Sequence, residues 1–254
     1  MQTEQGIISV RGHSIHSGFV NQESTIVDLG SNLGEFSGQM SSKFGCKCYA
    51  VEALPSLYAK IPDHPLVQKF NYAISSSNAP ITIYISDNPE ANTIKEVAHQ
   101  SWCNDGAIEV EGITFETFIK RYNIPSIDVL KIDIEGAELE LFKGMSDEAL
   151  KGVKQIAVEF HDFIEAFDCT QEVKEIKERL ISLGFLCIIP LRKLNVDVLF
   201  INKNKCSLSQ MDSLFLSVKY DFIPYGIRFI RRNISRVLNL PKKVSTFLQV
   251  VTRS

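Results

Sequence analysis

Short, almost wholly apolar runs recur along this chain, and most are followed by a stretch whose apolar residues repeat every three to four positions. Residues 25–29 (TIVDL) end at Gly30, and the spacing of Phe36, Met40 and Phe44 then predicts a helix over 35–44. Residues 47–52 (KCYAVE), 66–70, 127–132 (IDVLKI) and 155–160 (QIAVEF) read as further strands, with shorter ones at 81–85 and 107–111. Helices are predicted at 54–60, where Pro55 suits the first turn, and at 115–122. Over 171–183, Val173, Ile176, Leu180 and Leu183 share one helical face, which Gly184 ends. Strands alternating with helices imply an α/β fold, a mostly parallel sheet covered by helices on both faces. Residues 185–189 and 196–202 break the alternation, and the short loop between them suits an antiparallel pair. In such sheets ligands bind beyond the carboxyl ends of the strands, where the strand order reverses. The residues just after each strand therefore carry the functional reading.

Charge is unevenly distributed. From residue 219 to 254 there are eight Lys/Arg and one acid, a charge of +7, which leaves −10 on residues 1–218. Such asymmetry points to placement on a nucleic acid or a membrane, or to assembly. Hydrophobic residues at 44% and charged residues at 22% exclude a disordered chain and a coiled-coil rod. The six cysteines form no CxxC pair, so a zinc ribbon is not expected. Neither a secretory leader nor an 18-residue apolar run is evident, so the expected compartment is the reducing cytoplasm. Three parts are expected: an N-terminal segment (1–23), a catalytic domain (24–205) and a basic amphipathic C-terminal extension (206–254).

The first strand runs into Gly30-Ser31-Asn32-Leu33-Gly34. Gly30 permits a tight turn and close backbone approach, and Gly34 lets the next helix pack on the sheet. The pattern is G-x-N-x-G, which also serves an ordinary strand–helix turn. Glu52 at the end of the second strand raises its meaning, because a carboxylate there accepts hydrogen bonds from ribose hydroxyls. No P-loop lysine follows the glycines, and Asp28 would repel a pyrophosphate. A cationic amino-acid portion sits better beside it, so the expected cofactor is S-adenosylmethionine rather than NAD or ATP.

The densest segment is Leu130-Lys131-Ile132-Asp133-Ile134-Glu135-Gly136-Ala137-Glu138. It sets several acids at the carboxyl edge of the sheet. Asp133 and Glu135 share a face if the strand persists, and Lys131 has the same parity and can pair with either. A helix N-terminus favours acids as well, which accounts for Glu138 and part of Glu135, but not for Asp133 at an apolar strand end.

These segments, together with VEALP (51–55), NYAIS (71–75), VEFH (158–161) and VDVLFIN (196–202), resemble the FkbM family of S-adenosylmethionine-dependent methyltransferases over about residues 24–203. The resemblance implies a Rossmann-like class I methyltransferase fold, a seven-stranded sheet with an antiparallel last strand. It implies methylation of hydroxyl oxygens, often on sugars of glycans, glycolipids or glycosylated metabolites. It places Asp28, Gly30, Asn32 and Gly34 at the methionine end of the cofactor, with Ser31 where the family commonly has Ala. Glu52 falls to the ribose, Asn71 and Ala73 to the adenine side, and Asp133 to the neighbourhood of the sulfonium and amino group.

Methyl transfer to oxygen is an in-line displacement in which the protein aligns the hydroxyl and takes or shares its proton. Glu159 and His161 lie two apart at the end of the fifth strand, beside Asp133 and Glu135. His161 is the expected general base, because imidazole titrates near neutral pH. Glu159 or Glu135 orients it or binds substrate hydroxyls. The same four residues suit a hard cation, so Mg²⁺ bound to a vicinal diol is the less favoured alternative. His13 and His16 are read as a solvated N-terminal segment in preference to a lid, and His64 and His99 as surface residues. The polar loop 87–93 and Trp102 are candidate sugar contacts. In the tail, Ile227, Ile230, Ile234, Val237 and Leu238 are helix-spaced among arginines. Packing on the domain or in a homodimer is favoured there, then peripheral contact with the inner face of a membrane, with nucleic acid last for want of aromatic stacking platforms. Besides a saccharide-type hydroxyl, the acceptor alternatives are a protein, a lipid or a small molecule. A non-catalytic cofactor-binding or scaffold protein is the alternative class.

Overall fold

The computed structural model describes residues 6–84, 106–161, 169–190 and 194–222. Its centre is a seven-stranded sheet. In chain order the described strands are β1 (Ile7–Val10), β2 (His13–His16), β3 (Thr25–Leu29), β4 (Lys47–Val51), β5 (Val67–Phe70), β6 (Ala73–Ser75) and β7 (Ile81–Tyr84). They continue with β8 (Ala107–Val110), β9 (Gly112–Thr114), β10 (Ile127–Ile132), β11 (Val153–Val158), β12 (Phe185–Ile188) and β13 (Val198–Asn202). The helices are α1 (Glu35–Phe44), α2 (Pro55–Tyr58), α3 (Phe115–Arg121), α4 (Glu138–Gly144), α5 (Asp147–Gly152), α6 (Thr170–Ser182) and α7 (Gln210–Ser217).

The large sheet has the order β12-β13-β11-β10-β3-β4-β5. Its pairings are parallel except those of β13, which runs antiparallel to both β11 and β12. The expected antiparallel pair is therefore present, with the last strand inserted one place in from the edge. The strand order reverses between β3 and β10, so a ligand crevice belongs at their carboxyl ends.

The two faces of the sheet are covered differently. Val27, Leu29, Leu130, Ile132, Ile156 and Val158 share the main core with Phe118, Phe142, Val173, Ile176 and Leu180, so α3, α4 and α6 lie on this face. Leu183 packs against it as a partly buried edge, as its helical spacing predicts. On the opposite face Ile26, Cys48, Val129 and Ala157 meet Phe36 and Met40 of α1 together with Val10, Ile15 and Val20. The second layer there is thus partly β. The chain β1-Arg11-Gly12-β2 is a hairpin whose two turn residues have φ of 49° and 88°, as a tight two-residue turn requires.

This hairpin corrects the reading of His13 and His16 as part of a solvated N-terminal segment. The Ser14 backbone N–H and Oγ donate to Asp197 at 2.8 and 2.6 Å, and the His16 N–H donates to Gln155 Oε1 at 2.7 Å. His13 is 5% exposed. At the other end, α7 seats Leu216 against Ile188, Leu199 and Ile201, and the Ile7 N–H donates to the Tyr220 hydroxyl. No helix among the described residues is long and apolar enough to cross a membrane. Trp102, His99, the loop 87–93 and residues 223–254 lie outside the described residues.

Candidate active site

Gly30 sits at φ 73°, and a Cβ there would fall 1.7 Å from the carbonyl oxygen of Asp133. Only glycine lets the loop after β3 touch the end of β10, and this contact puts Asp133 beside the loop. Gly34 caps α1 at φ 74°, where a Cβ would lie 2.6 Å from Ile61. Asn32, in the left-handed region at φ 51°, turns its N–H to Glu52 Oε2 at 2.8 Å. The other Glu52 oxygen accepts the Leu54 N–H at 2.9 Å. Burial pushes the Glu52 carboxyl above its usual range, partly offset by those two backbone donors. Asn71 Nδ2 donates to the Glu52 and Ala53 carbonyls at 2.8 and 2.9 Å and so shapes the turn after β4.

These elements enclose a cleft of about 810 Å³, its open mouth included. Gly30, Asn32, Glu52, Ala73 and Asp133, which the resemblance assigns to the cofactor, line it together with Glu135, whereas Asn71 does not. Leu54, Leu57, Ile81 and Ile83 supply an apolar wall suited to a flat base. The small strand pairs β6–β9 and β7–β8 bring Ala73, Ile81 and Ile83 to it, and no sequence motif announces that wall.

Asp28 departs from its expected place. It is fully buried, does not line the cleft, and accepts a hydrogen bond from Ser37 Oγ at 2.7 Å. The sheet register sets Lys131 beside Asp28, and the ammonium lies 3.3 Å from Asp28 Oδ1 and 3.4 Å from Asp133 Oδ2. Lys131 also donates to the Gly30 carbonyl at 2.6 Å. Burial disfavours its charge, but Asp28 and Asp133 outweigh that and hold its pKa above the ordinary value. Asp28 therefore acts from behind the glycine loop, through Lys131. Ser31 and Gly34 are also absent from the cleft lining and serve the loop's shape.

A second group of side chains lies beside the cleft, at the ends of β10 and β11. The strand ends at Ile132, so Asp133 and Glu135 do not share a strand face; Glu135 and Gly136 form a turn at φ 52° and 94°. The buried Glu138 carboxylate closes that turn by accepting the Ile134 and Gly136 N–H groups at 3.1 Å each. The same oxygen is 3.0 Å from His161 Nδ1. His161 Nε2 lies 3.2 Å from Glu135 and 4.0 Å from Asp133. From the hairpin, His13 Nε2 reaches Asp133 at 3.4 Å.

This geometry changes the roles. Burial opposes a charged His161, but Glu135 and Glu138 dominate and raise its pKa to about 11. The two carboxylates thus favour its charged form, which disfavours the role of general base that the sequence reading gave it. For Asp133, burial opposes ionisation, but Lys131 and the imidazoles hold the carboxyl well below its usual range. Glu159 has no ion-pair partner among the described residues, and burial together with repulsion from Asp133 lifts its pKa to about 7. Lys131, Glu138 and His13 contact this group, and the sequence reading left all three in the background. The alternation of IISV and HSIH about Arg11-Gly12 was the signal for the last.

Two sets, His13-Asp133-Glu159 and Asp133-Glu135-His161, have ligand atoms within 4.8 Å of one another, which suits a cation in donor type. Lys131 and His161 already pair with Asp133 and Glu135, whereas Glu159 has no ion-pair partner among the described residues.

A sheet in this strand order, with an antiparallel strand next to its edge and a cleft at the reversal point, is the fold of a class I, Rossmann-like methyltransferase. The model of the methyltransferase FkbM domain matches residues 28–187, more than half of the sequence, and the chain belongs to that family. Hexuronic acid methyltransferase AglP of Haloferax volcanii is 26% identical over 161 residues, covering 61% of this chain and 64% of that protein. Methyltransferase sdnD of Sordaria araneosa is 28% identical over 169 residues, covering 53% of this chain and 65% of that protein. The chain thus spans under two thirds of the length of either relative. Among solved structures, a methyltransferase FkbM from Methylobacillus flagellatus KT is similar, with a TM-score of 0.45 and 12% identity over 71% of this chain and 44% of that one.

Proposed function

We propose that this protein is an S-adenosylmethionine-dependent O-methyltransferase acting on a saccharide-type hydroxyl, with Glu159 as general base. The observation that carries the reading is the adjacency of two things. One is a nucleoside-shaped cleft with Glu52 on its wall, and the other is a carboxylate poised near neutral pH beside Asp133. S-adenosylmethionine would supply an electrophilic methyl group on a sulfonium. Glu52 would bind the ribose, the apolar wall the adenine, and Asp133 with Glu135 the cationic end of the donor. Glu159 takes the proton that the acceptor hydroxyl gives up as the new C–O bond forms. Lys131 keeps Asp133 ionised, and His161 holds Glu135 in place although burial raises the Glu135 pKa above its usual range. His13 holds Asp133 from the hairpin side. Carboxylates grouped at one edge also suit sugar hydroxyls, and the likeness to a hexuronic acid methyltransferase favours a sugar acceptor. Cys46, Cys48 and Cys206 are thiols, which accords with a cytoplasmic setting.

The direct test is titration with S-adenosylmethionine, followed by labelled-methyl transfer to sugar acceptors with and without uronic acids. Saturable binding and transfer to a hydroxyl are expected. Tight NAD binding without S-adenosylmethionine binding would overturn the assignment. Glu52→Ala should weaken S-adenosylmethionine affinity by about 10- to 100-fold, the equivalent of losing hydrogen bonds to a charged group. Unchanged affinity would remove Glu52 from the ribose. Turnover should survive EDTA, because Asp133 and Glu135 already pair with Lys131 and His161; loss restored by Mg²⁺ would revive the metal route.

A further inference from the structure

Helix α7 buries one side and leaves the other bare. Leu216 packs into the sheet edge, whereas Met211, Leu214, Phe215 and Val218 are 74%, 58%, 62% and 40% exposed. Their spacing, i, i+3, i+4 and i+7, makes one continuous apolar stripe pointing away from the domain. Lys219 follows at the end of the stripe, with its ammonium 5.8 Å from the Phe215 ring centre and 5.1 Å from that of Tyr220. Beyond Asp221 the sequence carries Arg228, Arg231, Arg232, Arg236, Lys242, Lys243 and Arg253 and no acid.

We propose that this stripe docks the protein on an anionic lipid surface, with charge complementarity from the cations that the sequence places after it. Exposed apolar side chains beside a run of cations are the requirements for a peripheral contact: the first enter the acyl boundary and the second meet the headgroups. A second copy is a poorer occupant. Four side chains on two helical turns present less than the roughly 800 Å² per partner of a stable interface, and two tails of +7 would repel. The −10 on residues 1–218 repels an anionic surface, so contact is confined to the C-terminal end. Since α7 packs beside β12 and β13, and Tyr220 is tied to β1, docking there would orient the hairpin that carries His13 relative to the membrane. This inference does not depend on the methyl-transfer reading.

The test is co-sedimentation of the full chain with vesicles of equal parts phosphatidylglycerol and phosphatidylcholine, against phosphatidylcholine alone. Anionic vesicles should hold at least tenfold more protein, and about 0.5 M NaCl should release most of it. The double variant Leu214→Asp, Phe215→Asp should bind at least fivefold less, with its thermal midpoint and S-adenosylmethionine affinity unchanged because both side chains are exposed. Equal sedimentation on the two vesicle types would overturn the proposal. So would undiminished binding by the double variant, or a dimer in sedimentation velocity that the variant dissociates while vesicles bind neither protein.

Discussion

Glu159→Gln should lower turnover by at least 100-fold while S-adenosylmethionine affinity stays within about twofold. A positioned general base contributes on the order of 10²–10⁴ in rate, and glutamine keeps the shape and polarity of the side chain but takes no proton. The pH profile separates this role from a structural one. The Glu159 carboxyl has its pKa raised to about 7, by burial first and then by Asp133. A base works when deprotonated, so turnover should climb as pH rises through about 7 and level off above it. The variant should lose that limb along with most of its rate. His161 is not expected to produce the limb, since Glu135 and Glu138 raise its pKa to about 11. A wild-type limb that persists in Glu159→Gln would return the proton to another acceptor.

Lys131→Met should be the most destabilising single change at the site, by about 3–5 kcal/mol at neutral pH, the cost of leaving a buried charge without its partner. Its ammonium is 3% exposed as a residue and lies between Asp28 and Asp133 while holding the Gly30 carbonyl. Methionine restores the packing but not the charge. The sign of the pH dependence is informative. In the wild-type protein the depressed pKa of Asp133 contributes stability above the unfolded carboxylate range near about 4, and acid removes it as pH falls towards the folded value. In the variant Asp133 loses the cation that most lowers its pKa, so its folded pKa rises towards the unfolded one and that stabilisation is lost. The gap in denaturant midpoint between the two proteins should be full at neutral pH and narrow as pH falls below about 4, where wild-type Asp133 begins to lose its advantage. A gap that is constant with pH would mean that Lys131 acts by packing alone.

Much of the framework was legible along the chain. The strand 25–29 and helix 35–44 coincide with β3 and α1, because each contains one uninterrupted period and a glycine at its boundary. The helix at 171–183 matches α6 within a residue for the same reason. The strand read at 155–160 begins two residues earlier and stops at Val158: the Glu159 N–H makes the last ladder bond to Ile132, and the Phe160 N–H turns to the Asn195 carbonyl. The N-terminal hairpin was missed because its inward residues include His13 and Ser14. These look solvated by composition and are buried only because Asp133 and Asp197 receive them. Asp28 misled in the opposite way: its place after an apolar strand is legible, but the direction of its side chain is decided by Lys131 on the neighbouring strand.

Local periodicity and turn chemistry therefore determined, by themselves, the strand–helix rhythm, the glycine loop and which acids gather at the carboxyl edge of the sheet, because these depend on neighbours a few residues away. The tertiary structure alone decided which of those acids is free to accept a proton. Protonation depends on burial and on charges within a few ångströms, and here these come from chain positions more than a hundred residues apart, as with Asp28 and Lys131 or His13 and Asp133.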